Sequence, residues 1–205
     1  MNMDHNESSL NSELSAIIQA GFENAANGLE RMIGVEIAIG SPSVKSVPIN
    51  QIANVVGGPE MDAVGIYLRL EGDLEGQVML IFPYEKALEL VDLMLERERG
   101  ESQVLGSMER SALAEIGNLT GTFFVNAMDE ILGLGGRPSP PAVMVDMLGS
   151  ILDVILATMG AFGQDVLMFT TCFYVGERTA SSDFWIIPDP STLKKLYDAS
   201  KGINA

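Results

Sequence analysis

The sequence predicts an α+β fold in which one helix-plus-hairpin unit occurs twice. Three observations carry that prediction. Sliding the chain by 99 residues sets Leu14-Ser-Ala-Ile-Ile-Gln-Ala-Gly21 on Leu113-Ala-Glu-Ile-Gly-Asn-Leu-Thr120, and the match runs on through Asn27/Asn126, Glu30/Asp129 and Gly34/Gly133 to Pro42/Pro141. A second correspondence, offset by a small insertion, places the apolar runs Val64–Leu70 and Val78–Pro83 beside Val166–Cys172 and Phe184–Pro188. Each half then reads helix, Pro-led strand, hairpin strands, Pro, helix. Units of about 100 residues are too long for a solenoid, so the two are expected to pack together, with long helices on a shared sheet.

Residues 1–11 are polar and acidic and read as a frayed tail, leaving 12–205 as a single domain with halves at about 12–99 and 107–205. Ser12–Ile33 is an amphipathic helix stopped by Gly34. Val44–Ile49 is a short strand and Ile52–Val56 a weak turn of structure before the Gly57-Gly-Pro59 break. Ala63–Leu70 and Gln77–Phe82 form a hairpin around Glu71-Gly-Asp-Leu-Glu-Gly76. Pro83–Arg99 is a helix, 100–106 the linker, and Met108–Leu132 the second long helix. Gly133–Pro141 reads as loop. Ala142–Met147 is a strand running into a helix through Met159; Asp165–Gly176 and Ala180–Ile187 are the second hairpin; Pro190–Ala199 closes the chain.

The second long helix carries the chemistry. At about 100° per residue, Leu113, Ile116, Gly117, Thr120, Phe124, Ala127, Met128 and Ile131 form one stripe, and Ser111, Glu115, Asn118, Thr122, Asn126 and Asp129 fall nearly opposite. Glu115 and Asn118, three apart, stand side by side facing away from the core. Gly117 and Gly121 each cost roughly 1 kcal/mol in a helix interior. Either a partner or the protein's own sheet must come close there.

Composition excludes several classes. A net charge of −16 argues against nucleic acid and anionic lipid as partners. The single cysteine, Cys172, permits no internal disulfide and fits a reducing cytoplasm. The start lacks a signal-peptide pattern. Asp146 and Asp153 interrupt the apolar stretch 144–163, so no membrane insertion is expected. The only histidine, His5, lies in the tail, which rules out a triad or a His-based metal site; no G-x-S-x-G, C-x-x-C or P-loop occurs. Any catalysis must rest on placement rather than on a nucleophile, and no metal is expected.

The pattern Ser111-x3-Glu115-x2-Asn118-x22-Pro141, within a duplicated helix-plus-hairpin unit, resembles the CheC family of bacterial and archaeal chemotaxis, from about Ser12 to Ala199. The resemblance implies a CheC-like internally duplicated fold shared with CheX and the middle domain of FliM. It also implies a cytoplasmic two-component phosphatase (a hydrolase) that removes the aspartyl phosphate of the response regulator CheY. Glu115 and Asn118 would be catalytic, with Asn118 holding the attacking water in line and Glu115 pairing with a receiver lysine. Ser111 and Pro141 would support the helix. Magnesium would be supplied by the phosphorylated receiver, and no cofactor of its own is expected. The family carries the motif twice, whereas the first copy here reads Ser12, Ala16, Gln19, Pro42, a degenerate site. The region after Pro141 corresponds to the docking site of the receptor deamidase CheD, with Asp146, Met147 and Ile151 as candidates; burial of that helix on both sides would explain its apolar excess equally well. The other reading is a noncatalytic adaptor for CheY or CheD, or a flagellar-switch-like protein. The presence of both Glu115 and Asn118 favours the phosphatase.

Overall fold

Strands β3 (Asp62–Gly72) and β4 (Gly76–Pro83) alternate, yet both faces are apolar. Val64, Ile66, Leu68, Val78, Leu80 and Phe82 enter one core cluster; Ala63, Met79 and Ile81 enter another. A strand apolar on both sides needs cover on both sides. The computed structural model, which describes residues 19–20, 23–24, 26–28, 30–31, 36–39, 43–48, 51–159, 165–175, 178–188, 191–192, 194–195 and 198, supplies it. Helices α2 (Tyr84–Met94) and α3 (Ser107–Leu132), with Ala26 of the first-half helix, cover one face; α1 (Ile52–Val56) and α4 (Leu148–Met159) cover the other.

The sheet is antiparallel and runs β1 (Ile37–Ile39), β7 (Asp165–Val175), β8 (Arg178–Pro188), β4, β3, β5 (Gly136–Pro138). β2 (Ser43–Pro48) also pairs with β7, and β6 (Ala142–Met147) with β3. The short strands of each half therefore lie on the hairpin of the other half. The register repeats as well. Asp62 faces Met147 where Asp165 faces Pro48, and Leu70 faces Pro138 where Phe173 faces Ile39. The 99-residue shift that aligns the long helices also sets β5 on β1 and β6 on β2.

Most predicted elements are present, and the departures have local causes. The helix expected over Pro83–Arg99 stops at Met94. Glu96 takes φ +55°, Arg97 N–H donates to the Asp92 carbonyl (2.7 Å) and Glu96 N–H to that of Leu93 (3.2 Å), the crossed bonds of a Schellman stop. The Asp92 side chain, fully buried, then gathers the linker by accepting from Gly100 N–H (2.7 Å) and Ser102 N–H (2.8 Å). The expected loop Gly133–Pro141 contains β5, three residues held on the end of β3, and β1 likewise has no counterpart among the predicted strands. Ile131, placed in the buried stripe, is 38% exposed in the last turn of α3. The tail, Ser12, Ala16 and Pro42 lie outside the described residues, as does the Cys172 side chain.

Candidate functional site

The face of α3 divides as its periodicity requires. Leu113, Ile116, Gly117, Thr120, Phe124, Ala127 and Met128 are buried, while Ser111, Glu115, Asn118 and Asn126 are exposed. Among the described residues nothing hydrogen-bonds or ion-pairs with the Glu115 or Asn118 side chain, so both stay available to an incoming molecule.

What holds that face in place is the glycine pair beneath it. A Cβ on Gly117 would overlap Ile66 Cγ2 and lie 3.3 Å from Pro141 Cβ; one on Gly121 would lie 2.9 Å from Leu68 Cδ2 and 3.3 Å from Pro138 Cβ. The close neighbour is thus the protein's own sheet, not a partner. Pro141, 23 positions after Asn118 in the chain, rests against the residue preceding Asn118. It is held there by Ser139, whose N–H donates to the Arg69 carbonyl (2.7 Å), whose Oγ accepts from Arg69 N–H (3.0 Å), and whose hydroxyl donates to the Pro140 carbonyl (3.1 Å). Ser139 and Ile66 are supports that periodicity alone did not mark. Ile66 and Leu68 belong to the first half, so the second-half motif sits on a first-half strand.

The N-terminus of α3 is tied to the linker. Arg97 donates to Glu109 (2.8 Å) and to Ser102 Oγ (2.8 Å), and its guanidinium holds the Glu109 carboxyl below the usual carboxylate range. Burial pushes the Asp92 carboxyl up, but its hydrogen bonds from Ser102 and Gly100 outweigh that and hold it below the ordinary range.

In the first half only Gln19 of the degenerate motif is described. Its amide donates to Glu23 Oε1 one turn later (3.0 Å), so the carboxamide is engaged by its own helix. The three docking candidates separate. Asp146 and Met147 are exposed and, with Asp62, Ala63, Tyr84 and Val145, line an open hollow of about 360 Å³. Ile151 is not on that surface. It is 1% exposed, and its Cγ2 fills the space over Gly65. The apolar excess of α4 goes mostly inward: Leu148, Ile151, Leu152 and Ile155 are core, and Val154 and Leu156 are exposed. Among the described residues no cluster of three or more His, Cys, Asp or Glu could hold a metal, and no helix is long and apolar enough to cross a membrane.

The sheet order and the helices on its two faces are shared with solved structures. FliY from Thermotoga maritima superposes with a TM-score of 0.78 at 19% identity, covering 94% of this chain and 96% of that one. The CheX-CheY-BeF3-Mg+2 complex from Borrelia burgdorferi gives 0.51 at 21% identity, covering 82% and 96%. The CheC-like family model matches residues 108–145, the segment holding Ser111, Glu115, Asn118 and Pro141. "CheY-P phosphatase CheC" of Bacillus subtilis (strain 168) is 24% identical over 183 residues, 87% of this chain and 88% of that protein. The chain is thus similar to the CheC family, most specifically over the segment that carries the motif.

Proposed function

We propose that this protein is a CheY-P phosphatase, with one working site on α3. The observation that carries the reading is that Glu115 and Asn118 stand side by side, exposed and without a side-chain partner among the described residues, on a helix that Gly117 seats against Ile66 and Pro141. The similarity to a CheY-P phosphatase and to a CheX found with CheY supports it. In the proposed reaction the water oxygen bonds to phosphorus while the bond from phosphorus to the aspartyl oxygen breaks, releasing phosphate and a free carboxylate. The Asn118 carboxamide oxygen accepts a hydrogen bond from that water and sets its line of approach; no nucleophile from this chain is needed. Glu115 pairs with a cation beside the receiver's phosphoaspartate and fixes the helix in register. The receiver brings the magnesium. Asp146 and Met147, at the open hollow, are where a second partner such as CheD would dock.

The test is phosphate release from phosphorylated CheY with catalytic amounts of this protein. Asn118→Ala is expected to lower the accelerated rate about 100-fold or more, and Glu115→Ala to raise KM and lower kcat, each about tenfold. Binding to CheY or CheD without acceleration would make the chain an adaptor on a phosphatase scaffold.

A further inference from the structure

Two apolar side chains stand in the open around the N-terminus of α3: Val104 in the linker, 69% exposed, and Met108 on the helix, 59% exposed. Neither is a loose end. Leu105, buried beside Val104, anchors that stretch of backbone, its N–H bonded to the Tyr84 hydroxyl (3.3 Å) and its carbonyl to Arg110 Nε (3.1 Å). Ser102, two residues earlier, is buried and bonded to Asp92. Val104, between these anchored residues, is held outside. Met108 Sδ lies 3.6 Å from the Arg97 guanidinium, itself fixed by Glu109 and Ser102.

Met108 precedes Glu115 by seven residues, about 10 Å along the helix axis and about 20° around it. An interface of ordinary size, about 800 Å² per partner, reaches about 16 Å from its centre. A receiver centred on Glu115 and Asn118 therefore covers Met108. Toward the other end of the helix the exposed residues of the same face are Asn126 and Asp129, both polar. Among the described residues of this face, large exposed apolar side chains lie only toward its N-terminal end.

We infer that Val104 and Met108 form an apolar anchor for the phosphorylated receiver, continuous with the Glu115/Asn118 face, and fix which way round that partner sits. This rests on the phosphatase reading. The occupant is an apolar patch on CheY flanking its phosphoaspartate. Met adapts to such a patch without needing a preformed pocket.

The experiment compares wild type, Val104→Ser/Met108→Ser and Met108→Leu for phosphate release from phosphorylated CheY, with Ile131→Ala as an exposed apolar control off this face. The expected result is a rise in KM of about tenfold in the double variant with kcat held within about twofold, and wild-type KM in Met108→Leu and Ile131→Ala. The same double variant in an Asn118→Ala background should lose affinity for CheY carrying BeF3, which reads the contact without chemistry. Unchanged KM and affinity, beside a wild type that hydrolyses, would overturn the anchor alone. A wild type that neither hydrolyses nor binds CheY would overturn the phosphatase reading and the anchor with it.

Discussion

Gly117 has Ile66 under it and Pro141 beside it, so the position of Asn118 is set by the absence of a side chain one residue earlier. Gly117→Ala would push the helix off the sheet. The expected cost is about 1–3 kcal/mol in thermal or urea unfolding, with a loss of phosphate release larger than that destabilisation explains. Gln19 is the opposite case. Its carboxamide is already bonded to Glu23, so Gln19→Ala should leave phosphate release unchanged, and a large loss would mean that the first-half helix works after all. At this scale the sequence showed which residues face outward, because a period of 3.6 is enough for that. It could not choose between a partner and the sheet as the neighbour of Gly117, since a glycine's missing side chain is silent about what fills the space. Nor could it show that Ile151 turns inward, because α4 is apolar almost all round and periodicity has nothing to contrast.

The junction of α2 with the linker shows what an element end depends on. Glu96 occupies the left-handed position where glycine is usual, at a cost of roughly 1–2 kcal/mol. Glu96→Gly should therefore raise the melting temperature by a few degrees, as calorimetry would read. Asp92 sets a pH dependence. Its folded-state carboxyl titrates below the unfolded one, so its contribution is complete above the unfolded value, about pH 4, and is lost as pH falls through the lower folded value. Asp92→Asn should cost roughly 2 kcal/mol at neutral pH and flatten the acid limb of the stability curve below about pH 4. The helix looked longer in sequence because Leu95 to Arg99 contains no glycine or proline. Its stop is a Schellman turn with glutamate in the left-handed position, and the Asp92 side chain then gathers the linker, neither of which residue propensity marks.

Across the whole molecule, the 99-residue repeat made the order of elements readable before any coordinates, as did the two hairpins. β1 and β5 were not readable. Three residues are too few to show a period of two, and these strands exist because a longer strand from the other half offers them an edge. That exchange predicts that residues 1–99 and 107–205, produced separately, each lack cooperative unfolding by circular dichroism, and that mixing the two restores it. Two halves that each fold alone would contradict the reading of 12–205 as one cooperative unit.

β3 lies under Gly117 and pairs with the strand that follows Pro141, so the first half supplies the platform on which the second half's helix rests. The two halves are therefore under unequal constraint. Substitution is expected to be tolerated on the outward face of the first helix, where Ala16 and Gln19 occupy the motif positions, and not in the hairpin beside it. A saturation scan selected on phosphate release should record the same asymmetry, tolerant at Gln19 and intolerant at Ile66, both in the half whose motif is degenerate.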